Sequence, residues 1–92
     1  MDETLLQSMT DAIVEEVHPE TVVLFGSYAR GDAHAGSDLD LLVVTPDSEE
    51  VHSARRHITG NLYRRLSHYP VGKDILLYTH SEVERWREIP GH

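Results

Sequence analysis

The chain has 92 residues, 16 of them acidic against 8 Lys or Arg, which gives a formal net charge of −8 and an isoelectric point near 5.2. This length predicts one small domain over residues 1–92, and the acidic charge argues against direct nucleic-acid binding and against a template-directed polymerase. The absence of Cys excludes disulfides and thiol catalysis, and the lack of a membrane-length apolar stretch or signal peptide leads us to expect a cytoplasmic location.

The first two predicted elements are an amphipathic helix over residues 3–17 and a short apolar strand over residues 21–25. The helix ends near His18-Pro19, and the strand runs directly into Gly26-Ser27. A short helical turn is then expected over residues 28–31. The apolar positions that define the first helix are Leu5, Leu6, Met9, Ile13 and Val17.

The Gly26-Ser27 pair is a candidate phosphate-binding turn. Gly26 permits a close backbone approach or an unusual φ, and the Ser27 hydroxyl and nearby amides can hold phosphate oxygens. The surrounding residues match neither a P-loop nor a Rossmann fingerprint. Arg30 is a candidate nucleotide contact, although a solvated surface turn also explains it. We interpret Asp32 and His34 as residues of a solvated loop facing the site.

Two acidic residues, Asp38 and Asp40, fall in the next predicted strand, whose apolar residues resemble a segment buried on both faces. Residues two apart on a strand share a face, so both carboxylates are expected to aim at one point. Neither can be desolvated cheaply without a cation. Because Mg²⁺ takes carboxylate and phosphate oxygens, the pair predicts a magnesium site. The apolar residues are Leu39, Leu41, Leu42, Val43 and Val44.

The remaining elements alternate helix and strand. Ser48 or Asp47 is a plausible N-cap for a helix over residues 49–68, and Pro70 marks its end. A strand over residues 71–78 follows, and then a last helix that starts at 79–81 and stops at Pro90-Gly91. The long helix carries apolar Val51, Ile58, Leu62 and Leu66. Its basic residues agree with two interpretations, a docking face and an ordinary solvated helix surface. These residues are Arg55, Arg56, Arg64 and Arg65.

A third carboxylate can be sought on the strand over residues 71–78, because two-metal transfer chemistry needs another acid on a neighbouring strand. Asp74 lies at the beginning of this strand and takes that position. Lys73 should point to the opposite face. The expected fold class is α/β of the α+β type, with a small mixed sheet flanked by helices.

These residues resemble the signature of the DNA polymerase β-like nucleotidyltransferase superfamily. Gly26-Ser27, ten intervening residues and then Asp38-Leu39-Asp40 carry the match, and the wider run over residues 26–44 is similar to the minimal nucleotidyltransferases, called MNT proteins. The resemblance implies a palm-like nucleotidyltransferase fold. It also implies that Gly26 and Ser27 grip the nucleoside triphosphate while Asp38 and Asp40 bind Mg²⁺, with the third carboxylate contributed by a later strand.

Proteins of this family and size are commonly antitoxins whose toxin is a helical HEPN ribonuclease. The resemblance therefore implies transfer of AMP from ATP to a tyrosine of a HEPN toxin, with pyrophosphate leaving in line. Members usually continue beyond the region where this chain stops at His92. An uncovered apolar patch on the sheet and first helix is therefore expected, which a toxin or a second copy would bury.

Two other interpretations stay open at this stage. The first keeps nucleotidyl transfer but makes the acceptor a small molecule, as in aminoglycoside-modifying enzymes, although those normally carry an additional helical domain. The second is a catalytically silent module that neutralises its partner by binding alone, using the basic helix or the exposed end of the sheet. Intact Asp38, Asp40 and Asp74 argue against loss of catalysis.

Overall fold

A three-stranded sheet of order β1-β2-β3 organises the chain, and the computed structural model describes residues 2–87. β1 and β2 are antiparallel, whereas β2 and β3 are parallel, so the prediction of a small mixed sheet is confirmed. Within residues 2–87, no helix is both long and apolar enough to cross a bilayer. The elements are α1 (Glu3–Val17), β1 (Thr21–Phe25), α2 (Gly26–Arg30), β2 (Leu39–Thr45), α3 (Glu49–Arg65), β3 (Lys73–Thr79) and α4 (His80–Arg87).

The predicted element order is confirmed, with small differences at the boundaries. The second strand begins at Leu39, so Asp38 lies just before it, and α3 ends at Arg65. The proposed stop of the last helix at Pro90-Gly91 lies outside the described residues. Pro70 follows the end of α3 as predicted.

The hydrophobic core lies between one face of the sheet and the long helices α1 and α3. β2 contributes the centre of that face, with Leu39, Leu41 and Val43 almost completely buried. These side chains alternate along the strand, and register places them beside the buried residues of β3. Most of the α1 and α3 residues that pack on this face, including Met9, Ile13 and Leu62, are apolar positions that the helical spacing of the sequence predicted. Buried core residues outside β2 are Met9, Ala12, Ile13, Val51, Leu62, Leu66, Ile75 and Leu77.

The opposite side of the sheet, which carries Asp40, Leu42 and Leu76, is called the open face below. Leu42 is only half-buried there and Leu76 is exposed, so the prediction that β2 is buried on both faces is wrong at Asp40 and Leu42, although Val44 farther along the same side is buried. The physical reason is that α1 and α3 pack on the same side of the sheet. α4 covers only the far end of the open face, where Trp86 contacts Tyr78 with ring centroids 4.3 Å apart.

Side-chain caps define where the helices begin. Ser48 is the N-cap of α3, because its hydroxyl accepts hydrogen bonds from the amides of Glu50 and Val51. The alternative cap, Asp47, instead accepts a hydrogen bond from the Ser81 amide in the first turn of α4. Its contact links the loop before α3 to the start of α4.

A reciprocal capping box and an ion pair fix α4 against the rest of the fold. The Thr79 amide donates to the Glu82 carboxylate at 2.8 Å, and the Glu82 amide donates to the Thr79 hydroxyl at 3.4 Å. Arg55 donates to both Glu82 carboxylate oxygens, at 2.9 and 2.8 Å. Both of those bonds come from Nη2, and Nη1 of the same guanidinium donates to the Leu77 carbonyl at 2.9 Å, so Arg55 joins α3 to both β3 and α4.

We expect Glu82→Gln to lower the free energy of unfolding by about 1–3 kcal/mol at neutral pH, because it removes a charged acceptor from Arg55. Burial raises the pKa of the Glu82 carboxyl, but the hydrogen bonds from Arg55 and the Thr79 amide outweigh it, and the pKa lies below its ordinary value of 4.5. Because the pKa is lower in the folded protein, the ionised Glu82 carboxylate stabilises the fold fully above the ordinary value of 4.5. This stabilisation is lost as the pH falls through the lower pKa of the folded state.

Urea unfolding of both proteins between neutral pH and pH 3 measures this effect, and the difference between them should shrink on the acid side. Glu84→Gln is the matched control, because its partner Arg87 is 3.1 Å away on the exposed side of the same helix. That exposed pair should contribute less than about 1 kcal/mol. Equal losses from the two variants would contradict the assignment.

Candidate functional site

The Gly26 turn at the end of β1 requires glycine for two separate reasons. Its φ is +75°, in the left-handed region that side chains rarely adopt. A Cβ at this position would overlap Asp40 Oδ2 and lie 3.0 Å from Asp40 Cγ. The sequence therefore needs glycine here both to turn the chain into α2 and to leave room for a carboxylate of β2.

Asp40 and Asp74 face each other across the parallel pair of strands. They are register partners, and Phe25 of β1 is the partner of Asp40 on its other side. Phe25, Asp40 and Asp74 thus form one row across the open face. Adjacent strands lie about 4.8 Å apart, and like charges placed directly opposite one another destabilise a sheet. A bound cation would remove this repulsion.

Asp38 is exposed and lies one residue before β2, next to Gly72. The amide of Leu39 donates to the Gly72 carbonyl at 2.8 Å, which holds the start of β2 against the segment before β3. A Cβ on Gly72 would overlap Asp38 Oδ1. Gly72 therefore leaves space for Asp38 as Gly26 does for Asp40. Sequence reasoning missed Gly72, since a lone glycine before a strand carries no distinctive pattern.

The donor chemistry of these residues fits Mg²⁺, since every candidate ligand is a hard oxygen and Mg²⁺ commonly takes one or two carboxylates with waters and phosphates. The side chains, however, lean apart: Asp40 approaches Gly26 on the β1 side, and Asp38 approaches Gly72 on the β3 side. Among residues 2–87, no three carboxylate or imidazole groups converge closely enough to hold one ion. The backbone brings the three predicted acids to one end of the sheet, but the expectation that Asp38 and Asp40 aim at one point is wrong, because their side chains lean toward opposite neighbouring strands.

The other two predicted nucleotide contacts lie in the short helix α2. The Ser27 carbonyl accepts hydrogen bonds from the amides of Gly31 at 3.0 Å and Asp32 at 3.1 Å, which close the turn. Arg30 is paired with Asp32 at 3.3 Å, and both side chains are more than half exposed. A contact between Arg30 and a nucleotide would therefore compete with this solvent-exposed pair. His34 accepts a hydrogen bond from the Gly36 amide in the following loop.

A contact that sequence reasoning missed supports the strand that carries Asp74. The Tyr63 hydroxyl of α3 accepts a hydrogen bond from the amide of Ile75 at 2.9 Å. That amide belongs to the residue directly after Asp74, on the edge of β3 that is not paired with β2. Because a tyrosine on a helix usually signals packing, nothing in its spacing would have indicated this role.

Comparison with known proteins relates this chain to nucleotidyl transfer. The family model for the nucleotidyltransferase domain matches residues 6–89. A provisionally named protein adenylyltransferase of Methanocaldococcus jannaschii is 31% identical over 83 residues, which are 84% of this chain and 48% of that protein. The chain therefore spans about half the length of this curated relative.

Solved structures support the same fold. A provisionally named nucleotidyltransferase from Sulfolobus solfataricus superposes with a TM-score of 0.65 at 24% identity, covering 89% of this chain and 70% of that one. A second provisionally named nucleotidyltransferase superposes with a TM-score of 0.62 at 19% identity, covering 90% and 87% of the two chains. The α+β fold with a mixed sheet is the one expected from the sequence.

Gly26→Ala should destabilise the fold and displace Asp40, whereas Gly31→Ala should only destabilise it. Both glycines have positive φ, +75° and +82°, so each substitution carries a backbone penalty of about 1–2 kcal/mol. Only at Gly26 does the new Cβ also overlap Asp40, since nothing lies within 4 Å of a Cβ at Gly31.

Urea unfolding combined with NMR of the Asp40 carboxyl carbon separates the two effects. At temperatures where both variants are folded, we expect Gly31→Ala to keep the wild-type chemical shift of that carbon and Gly26→Ala to change it. Equal shifts in the two folded variants would show that Gly26 does not make room for Asp40.

Proposed function

We propose, from the premise that this chain belongs to the nucleotidyltransferase domain family, that it transfers AMP from ATP to a hydroxyl of a protein. The observation that carries the proposal is the position of Asp40 directly opposite Asp74, at the end of the sheet where Gly26-Ser27 turns the chain. Such a like-charged pair is costly without a cation, and a cation shared with phosphate oxygens is what phosphoryl transfer needs.

Asp38, Asp40 and Asp74 would hold Mg²⁺ once their side chains turn from Gly72 and Gly26 toward a common point, and the ion would neutralise triphosphate charge. Gly26 lets the backbone approach the phosphates, and the Ser27 hydroxyl donates to a phosphate oxygen. The acceptor oxygen attacks the α-phosphorus and forms a new oxygen–phosphorus bond. The bond between the α-phosphorus and the oxygen bridging to the β-phosphate breaks, and pyrophosphate leaves with its electron pair. In this proposal Asp74 either completes the metal site or takes the proton of the attacking hydroxyl.

A protein acceptor is supported by the relative from Methanocaldococcus jannaschii, whose name describes a protein adenylyltransferase. The resemblance to the minimal nucleotidyltransferases adds the narrower proposal that the acceptor is a tyrosine of a HEPN ribonuclease toxin and that this chain is its antitoxin. The same open face would accommodate an acceptor side chain, because Asp74 is exposed on it. This partner, the tyrosine and the magnesium requirement all belong to the proposal.

ATP binding should require Mg²⁺ and should be lost in the Asp38→Asn/Asp40→Asn variant, because both carboxylates would lose their charge while keeping their size. Calorimetric titration of ATP, with and without Mg²⁺, measures this. The Asp11→Asn variant is the matched control, since Asp11 is exposed on α1, where it accepts a hydrogen bond from Gln7, and its loss should leave ATP binding as in the wild type. Absence of binding in the wild type would favour the catalytically silent partner-binding interpretation.

Transfer should add the mass of one or more adenylyl groups to the cognate HEPN toxin when it is incubated with this chain, ATP and Mg²⁺. Asp74→Asn should reduce the rate by about 10²-fold or more, the usual size of a general-base or metal-ligand contribution. Intact-mass spectrometry followed by peptide mapping identifies the modified residue. An unmodified toxin together with normal ATP binding would point to a different acceptor, such as a small molecule.

A further inference from the structure

The open face has an apolar part immediately beside the carboxylate row. In register, the row next to Phe25, Asp40 and Asp74 consists of Val23, Leu42 and Leu76. Val23 and Leu76 are each 40% exposed and Phe25 is 36% exposed. Contiguous exposed apolar surface of this kind marks a binding surface more often than scattered single residues do.

In these two rows the described helices leave Val23, Phe25, Leu76 and Asp74 exposed, whereas Leu42 and Asp40 are half-buried and Asp40 lies against Gly26 of α2. α1 and α3 pack on the core face, and α4 reaches only the next row along, where Val44 is 5% exposed and Tyr78 contacts Trp86. The unpaired edge of β3 is also occupied, because Tyr63 accepts from the Ile75 amide and Arg55 donates to the Leu77 carbonyl. A partner therefore meets β3 on its open face, since strand addition at this edge would compete with those contacts.

We infer that the apolar row Val23, Leu42 and Leu76 is the docking surface for the acceptor protein and that it holds the ring of the acceptor tyrosine named in the proposed function. This inference rests on the proposed function. Successive residues on one face of a strand are about 6.5–7 Å apart, which is close to the length of a tyrosine side chain. A phenol ring lying on the apolar row therefore brings its hydroxyl to the carboxylate row. A serine side chain is too short to cover the apolar row while its hydroxyl reaches the carboxylate row.

Charge further restricts the partner. The chain carries a net charge of −8, and the docking surface borders Asp40 and Asp74. The cationic side chains adjacent to the site in sequence are already engaged, Arg30 with Asp32 and Lys73 with the Tyr69 carbonyl. Electrostatic complementarity therefore favours a tyrosine that is flanked by Arg or Lys on the acceptor.

The test is an NMR titration of the isotope-labelled full chain with a capped peptide that has a central tyrosine between arginines. A second peptide of the same charge carries serine in place of the tyrosine. The tyrosine peptide should shift the amide signals of Val23, Phe25, Leu42 and Leu76, and the serine peptide should leave them unchanged. Equal shifts with both peptides, shifts confined to other surfaces, or no shift at all would overturn the inference.

Two matched variants distinguish binding at this surface from nonspecific hydrophobic binding. Leu76→Ser should raise the dissociation constant for the tyrosine peptide about fivefold or more, whereas Val14→Ser should leave it unchanged. Val14 is the control because it is 45% exposed on α1, away from the sheet. Equal weakening by the two variants would contradict a specific role for Leu76.

Two further measurements exclude other occupants of the same face. Shifts at Val23 and Leu76 caused by ATP and Mg²⁺ alone would assign the apolar row to the adenine base and overturn the inference. A wild-type dimer in sedimentation experiments that Leu76→Ser converts to a monomer would assign it to a second copy, with the same consequence. Because peptide binding is measured without transfer, loss of the proposed function and loss of this docking surface give different results.

Discussion

The arrangement of the site depends on one constraint, the parallel register that sets Asp40 opposite Asp74. A shift of one residue in this register would turn one of the two carboxylates toward the hydrophobic core, because side chains alternate between faces. The buried residues of β2 and β3 prevent that shift, since Leu41 and Val43 must stay beside Ile75 and Leu77. Core packing therefore keeps the Asp40 and Asp74 positions side by side on the other face of the same strands, an arrangement that a bound cation would stabilise.

The glycines beside the site follow from the same arrangement. With β1 and β3 hydrogen-bonded on either side of β2, the carboxylates of Asp38 and Asp40 have little lateral room. Gly72 and Gly26 supply it on opposite sides, and each is a position where a Cβ would overlap a carboxylate oxygen. The cost is conformational, because glycine loses more backbone freedom on folding than other residues. The geometry of the site therefore depends both on the acids and on the absence of a side chain at Gly26 and Gly72.

Much of this architecture could be predicted from sequence, for identifiable reasons. Strong local patterns located α1, the three strands and the Gly26-Ser27 turn, and Asp40 and Asp74 were expected on neighbouring strands. The side of β2 that stays open could not be predicted from the strand itself, because its apolar run has the same composition whether one or both sides are covered. The uncovered apolar patch on the sheet was expected only from the family resemblance. Leu42 and Leu76 differ from Leu41 and Leu77 only in the side that they face. That difference arises from helices distant in sequence.

The contacts of α3 were the least predictable, and they explain how one helix can serve both stability and access. Leu62 and Leu66 bury its inner side in the core, while Tyr63 and Arg55 reach the edge of β3. An unprotected edge strand invites pairing with other chains, and these side chains satisfy two of its backbone groups. Because these contacts lie at the edge of β3, they do not cover its open face. Asp74 therefore stays exposed, while strand addition at this edge would have to displace Tyr63 and Arg55. A small sheet covered on one side can in this way keep a row of carboxylates accessible while side chains occupy part of its edge.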